Sequence, residues 1–155
     1  MRAVIQRSGP AEVVVNGAVT ARIERGAVVL LAVARDDTPQ EAAWLAAKIS
    51  RLRIYNDEAG RMNASLADVG GDFLVISQFT LYGDSRKGNR PSYMESAPPE
   101  QAKVLYEAFV AALRHCGHRV VTGSFQAQMK VRLENDGPVT LIIERRAAGI
   151  SSTAR

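Results

Sequence analysis

Asn16-Gly17, set between two runs of β-type residues, constrains this chain more than any other pair in it. Both residue types tolerate positive φ, which a two-residue hairpin turn between right-twisted strands demands. The flanking runs, 12–15 and 19–24, are rich in Val and Ile, and two more, 3–7 and 27–34, frame them. Gly9-Pro10 and Gly26 punctuate the series. The first third therefore reads as an antiparallel meander. An all-β opening argues against a doubly wound parallel sheet.

A helix follows. Thr38 is a good N-cap, Pro39 suits the first helical position, and Glu41 completes a capping box. Trp44, Leu45, Ile49 and Leu52 give it an apolar stripe. Residues 52–55 return to strand, and 56–60 form a turn. Gly70-Gly71 then precedes Phe73-Leu74-Val75-Ile76, a strand expected to run on to Leu81. A polar loop over 83–91 carries Arg86, Lys87 and Arg90. Pro98-Pro99 opens a second helix over 99–116, with Ala102, Leu105, Tyr106, Phe109, Val110, Leu113 and Cys116 on one face and Gly117 as its C′ residue. Residues 118–122, 129–134 and 139–144 are strand-like again. The order predicts a mixed α+β (α/β) domain, a mainly antiparallel sheet covered by two long helices. Residues 1–146 read as a single domain and 147–155 as a flexible tail.

Composition narrows the function classes. Of 155 residues, 46% are hydrophobic and 23% charged, which excludes a disordered chain. No apolar run approaches the roughly 18 residues that span a bilayer, so no membrane partner is expected. The start has no signal-peptide core, and the expected location is cytoplasmic. The lone Cys116 excludes an intramolecular disulfide and a cysteine-based zinc cluster. Net charge is +4. Arginine greatly outnumbers lysine, a bias that suits phosphate and carboxylate forks and that high-GC coding also produces. The balance permits a polyanionic partner without requiring one.

Familiar catalytic patterns are missing. His115 and His118 flank the end of the second helix, where His115 suits the helix dipole. Cys116 falls on that helix's apolar face, as a core thiol would. Neither supports a Ser-His-Asp or Cys-His arrangement. No ligand set suggests a metal, and no cofactor is expected. Gly83-Asp84-Ser85-Arg86-Lys87-Gly88 has the wrong spacing for a phosphate-binding P-loop.

Three features remain. Ser77-Gln78-Phe79-Thr80 ends an apolar strand with three polar side chains, which either fray into solvent or face a cleft. Asn135-Asp136-Gly137-Pro138-Val139-Thr140 sits between strand-like runs, as a turn or as something more specific. The basic loop with Arg86, Lys87 and Arg90 is either a solvated loop or a phosphate contact.

Together these segments resemble one family, the D-aminoacyl-tRNA deacylases, also called D-tyrosyl-tRNA deacylases. The resemblance covers nearly the whole chain. It rests on Met1-Arg2-Ala3-Val4-Ile5-Gln6-Arg7, Leu52-Arg53-Ile54-Tyr55, Gly60-Arg61-Met62-Asn63, Ser77-Gln78-Phe79-Thr80-Leu81, Ala97-Pro98-Pro99, Thr122-Gly123-Ser124-Phe125 and the Gly137-Pro138 segment. The Ser-Gln-x-Thr and Gly-Pro motifs are specific only in this order and separation.

The resemblance implies a barrel-like curled sheet with helices outside. It implies a homodimer whose Gly137-Pro138, in the cis form, enters the partner's pocket as a chiral filter. Ser77, Gln78, Phe79 and Thr80 would line the catalytic pocket for the 3′-terminal adenosine and its ester. Ala102 and Met129 would pack around that adenosine, and Arg7 would support the Gly-Pro loop. The implied activity is hydrolysis of D-aminoacyl-tRNA, and of mischarged glycyl-tRNA, with L-aminoacyl-tRNA rejected. Aminoacyl-tRNA is the expected partner, with Arg86, Lys87 and Arg90 at its phosphates, and DNA is not. Gln126 departs from the small residue usual in this family.

The implied chemistry is the cleavage of an activated ester by water. Backbone N–H donors aimed at a developing oxyanion are worth about 2.7–4 kcal/mol each. Thr80 is either a pocket residue or a covalent nucleophile, and no base is apparent to activate it. A non-catalytic module binding the tRNA acceptor end is the competing expectation.

Overall fold

The computed structural model describes residues 1–147. The tail expected over 147–155 lies outside the described residues, apart from Ala147.

Strand β1 (Arg2–Val15) organises the sheet. One of its edges is shared by two strands that follow it. β2 (Ala18–Ile23) pairs with its second half, and β3 (Gly26–Ala32) with its first half, both antiparallel. The other edge pairs along its length with the last strand, β8 (Lys130–Glu144). The expected meander is thus corrected. β2 and β3 do not pair with each other but lie end to end along β1. The Asn16-Gly17 turn forms as expected, with φ of 50° and 83°.

Gly9-Pro10 does not interrupt β1 either. The pairing with β8 shifts register between Ser8 and Ala11. A proline, having no N–H to give a ladder, is tolerated at such an irregularity.

β6 (Asp72–Ser77) lies parallel to β3, and the short β7 (Val120–Thr122) lies parallel to β6. These central strands are buried on both faces, so their sequences are continuously apolar rather than alternating. Val29, Leu31, Phe73 and Val75 pack toward the helices. Val28, Leu74 and Ile76 pack against Ala11, Val13 and Ile23 on the opposite face. The sheet curls far enough to bring β2 against β6 and β7. The result is the expected mixed, mainly antiparallel, barrel-like sheet with two helices outside. β4 (Tyr55–Asn56) and β5 (Met62–Ala64) form a separate small hairpin, shorter than the strand expected from residue 52.

Helix α1 (Pro39–Ser50) has the capping box read from its sequence: the Thr38 hydroxyl accepts from Gln40 N, and the Thr38 N–H donates to Glu41 Oε2 at 2.9 Å. Its buried face is Ala42, Leu45, Ala46 and Ile49. Leu45 and Ile49 of the expected stripe are buried and Leu52 packs on the core, but Trp44 is 41% exposed, under the Arg145 guanidinium, and does not belong to it. Helix α2 (Pro99–His115) packs on α1 through Leu105, Phe109 and Leu113. Cys116 is its C-cap and is exposed, not a core thiol. At the helix end no neighbouring element among the described residues covers that side chain. Among the described residues no helix is long and apolar enough to cross a membrane.

Candidate active site

β6 stops at Ser77, and the chain turns at once into a short 3-10 helix, Phe79–Tyr82. The expected strand to Leu81 does not form. Gln78 N still donates to Leu31 O at 2.8 Å, the last rung beside β3, but Leu81 N turns back to Gln78 O. Polar side chains at 77, 78 and 80 offer no apolar alternation to prolong the strand.

That turn opens one wall of a cleft of about 850 Å³. Ser77, Gln78 and Phe79 form the wall, and Ile76 lies below them. Pro98, Pro99 and Ala102 bring the start of α2 to the opposite side. Phe125, Gln126, Ala127 and Met129, from the segment between β7 and β8, close a third side. The lining is mostly apolar with a few polar groups, the usual make-up of a pocket for a small organic moiety.

The walls are braced by their neighbours. The Phe79 ring meets Tyr93 edge-on at 5.1 Å, and Ser96 Oγ donates to Phe79 O at 3.0 Å. Tyr106 packs on Phe125 at 5.9 Å and donates its hydroxyl to Val75 O at 2.8 Å. Burial raises the Tyr106 phenol well above its ordinary value and keeps it neutral.

The sequence-derived site residues separate into groups. Ser77, Gln78, Phe79, Ala102 and Met129 share the cleft. Thr80 is exposed beside it, outside the lining, and its hydroxyl accepts a hydrogen bond from the Gln78 amide. An amide donor is not a base. Arg86 is held by both carboxylate oxygens of Asp84, and it keeps that carboxyl far below its ordinary range. Lys87 and Arg90 are exposed on the same loop, which is closed at its base by reciprocal Asp84–Ser92 hydrogen bonds. Tyr93, next along, lines the cleft.

Gly137-Pro138 lies elsewhere, within β8 and outside this chain's own cleft. The pairing with β1 jumps from Ser8–Asn135 to Gln6–Thr140, so four residues of β8 bulge out opposite Arg7 alone. The excursion is neither a turn nor a strand end. Its base is clipped by Asn135, whose Oδ1 accepts from Val139 N at 2.9 Å and whose Nδ2 donates to Thr140 Oγ1 at 2.8 Å. From beneath, Arg7 Nε donates to Asp136 O at 2.9 Å and Nη1 donates to Ile54 O at 2.8 Å. The Gly137–Pro138 peptide is cis, Gly137 has φ +121°, and both residues are exposed at the apex.

Sequence reading missed Arg35, Tyr93 and Ser96 in the cleft. They come from the loop after β3 and the approach to α2, and only the fold brings these segments together. Gln126, the residue noted as a departure, sits at the cleft with φ +61°.

A cleft at the end of a central strand, lined mostly by apolar groups with a few polar ones, defines a site for a small organic moiety. The particular family follows from comparison. The profile of the D-Tyr-tRNA(Tyr) deacylase family matches residues 4–144, and the chain belongs to that family, a family of hydrolases acting on ester bonds. It is 58% identical over 146 residues to the D-aminoacyl-tRNA deacylase of Anaeromyxobacter dehalogenans, covering 94% of this chain and 98% of that one. It is also 58% identical over 144 residues to the enzyme of the same name from Thermus aquaticus, covering 93% and 95%. Among solved structures, one described as c-Myc DNA Unwinding Element Binding Protein superposes with a TM-score of 0.89 at 39% identity, covering 95% of this chain and all of that one. A probable eukaryotic D-amino acid tRNA deacylase shares the fold, with a TM-score of 0.81 at 19% identity, over 92% and 97%.

Proposed function

We propose that this protein hydrolyses the ester bond of D-aminoacyl-tRNA, releasing tRNA and a D-amino acid, and that it works in the cytoplasm as a homodimer. The observation that carries this reading is the cleft at the end of β6, which sets Ser77, Gln78 and Phe79 opposite Ala102, Phe125 and Met129. The apolar side suits a stacked adenine, and the polar side suits the ribose and its ester. The main-chain N–H groups of Phe79 and Thr80 would receive the developing oxyanion, since Gln78 N is already given to Leu31 O. Positioning of a water against the ester would then supply much of the rate, with no histidine or metal involved.

Chirality would be set by the bulge at Gly137-Pro138. Its apex is exposed and outside its own cleft, as expected of a segment lent to a partner's site. Arg7 below and Asn135 at the base hold it stiffly. Main-chain oxygens at the apex would take the substrate ammonium. With ammonium and ester both fixed, an L side chain meets the bulge and a D side chain points away. A thousandfold preference needs about 4 kcal/mol. Glycine has no side chain to collide, so glycyl-tRNA would be accepted. Lys87 and Arg90 would meet tRNA phosphates, and Arg86 less so, because Asp84 occupies it.

The test is hydrolysis of D-tyrosyl-tRNA and L-tyrosyl-tRNA by the purified protein. Release from the D ester alone is expected. Equal rates on the two esters would overturn the stereochemical reading, and salt-sensitive tRNA retention without turnover would leave only a binding module.

A further inference from the structure

Among the described residues Arg35 is the only charged side chain lining the cleft, and none of them places a carboxylate in that lining. Its guanidinium is anchored but not neutralised: Nε donates to Met94 O at 2.6 Å, and no ion pair involves it among the described residues. Arg86 and Arg132, by contrast, each face a carboxylate.

The backbone at Arg35 is also fixed. Its N–H donates to Glu95 O at 3.1 Å, and its carbonyl accepts from Gln101 Nε2 at 3.0 Å. The neighbouring Ala34 bridges to Ser96. Arg35 is therefore tied to the segment that carries Tyr93, Ser96 and Ala97 along the same cleft. A side chain held at Nε keeps both Nη groups available, in the planar fork that matches a phosphate. Fixing the fork beforehand lowers the entropy lost on binding.

We infer that Arg35 binds the 5′-phosphate of the terminal nucleotide whose ester lies against Ser77–Phe79. This rests on the aminoacyl-tRNA reading above and deepens it. The phosphate is the one anionic group that any 3′-terminal nucleotide must carry near its ribose. Arg35 makes the cleft complementary to it, and so selects a nucleotide ester over a simple amino-acid ester.

The experiment compares wild type, Arg35→Gln and Arg35→Lys on D-tyrosyl-tRNA, with adenosine and adenosine 5′-monophosphate as competing inhibitors. Arg35→Gln is expected to raise KM about tenfold with kcat nearly unchanged, a loss equivalent to about 1.4 kcal/mol. Wild type should bind the monophosphate about tenfold more tightly than adenosine. That preference should vanish in Arg35→Gln and be partly restored in Arg35→Lys. A purely structural role would weaken both inhibitors equally, and an intact preference for the monophosphate in Arg35→Gln would likewise overturn the assignment. If wild type fails to hydrolyse D-tyrosyl-tRNA at all, the parent reading fails first, and the wild-type control alone reveals it.

Discussion

The Arg7 guanidinium lies directly beneath Gly137, with Nη2 only 2.6 Å from where a Cβ on that glycine would stand. The same glycine holds φ +121°, a backbone conformation L side chains rarely adopt. Gly137→Ala therefore has to move either the apex or Arg7. Strain of this kind costs about 1–3 kcal/mol. Deacylation should fall more than tenfold while the protein still folds, with a modest drop in melting temperature. A wild-type rate from Gly137→Ala would mean that the apex geometry does not matter to the reaction.

Arg7 itself is 8% exposed and spans from Asp136 O to Ile54 O. A lysine keeps the charge but cannot reach two carbonyls with a planar fork. Losing one charged hydrogen bond and leaving its buried acceptor unpaired costs about 2–3 kcal/mol. Arg7→Lys should lower the urea midpoint accordingly, without changing the denaturant slope.

Much of this was legible in the sequence because local rules carried it. Thr38, Pro39 and Glu41 announce a helix start by their own chemistry, and Asn16-Gly17 announces its turn. What failed depended on distant partners. Gly9-Pro10 looks like a break until β8 is alongside to absorb the register shift. Trp44 fits an apolar stripe by spacing, yet Leu45 and Ala46 face the core and Trp44 faces Arg145. Ser77, Gln78 and Phe79 could be suspected as cleft residues from their place after an apolar strand. Arg35 could not, since only the pairing of residues 34 and 96 brings it there.

Thr80 offers a sharp test of mechanism. Its hydroxyl accepts from the Gln78 amide, a donor, and among the described residues no histidine or carboxylate hydrogen-bonds to it. A threonine without a base is a poor nucleophile. Thr80→Ala should retain at least a tenth of the wild-type rate, and mass spectrometry of quenched reactions should show no acyl-protein. An acylated Thr80 peptide would refute this.

His118 predicts a pH dependence of stability. Its ring meets Phe73 edge-on at 5.0 Å, and burial lowers its pKa from 6.5 despite a hydrogen bond with Ser50 that pulls the other way. The unfolded chain thus binds the proton more readily than the folded one, so stability rises with pH through this window. The His118 contribution is complete above about pH 6.5 and declines as pH falls toward the lowered folded value. Asp37 has the opposite sign, since burial raises its carboxyl from 3.8 and its contribution is lost as pH rises. Comparing wild type with His118→Gln at each pH cancels Asp37. Urea midpoints between pH 5 and 7 should rise less steeply in the variant. Parallel curves would exclude His118 as the source.

Tyr106 separates the cleft's support from its chemistry. Val75 O accepts both the Tyr106 hydroxyl at 2.8 Å and Gly123 N at 2.9 Å. Removing the hydroxyl therefore leaves that buried carbonyl paired, and Tyr106→Phe should cost only about 1 kcal/mol. The ring stays against Phe125, so the cleft wall stays in place and deacylation should remain within twofold of wild type. Tyr106→Ala removes the ring as well, at about 3–5 kcal/mol by analogy with large-to-small aromatic truncations. Phe125 then loses its backing, and KM should rise along with the loss of stability. If Tyr106→Phe abolished activity in a well-folded protein, the phenol would have to act on the substrate rather than hold the wall.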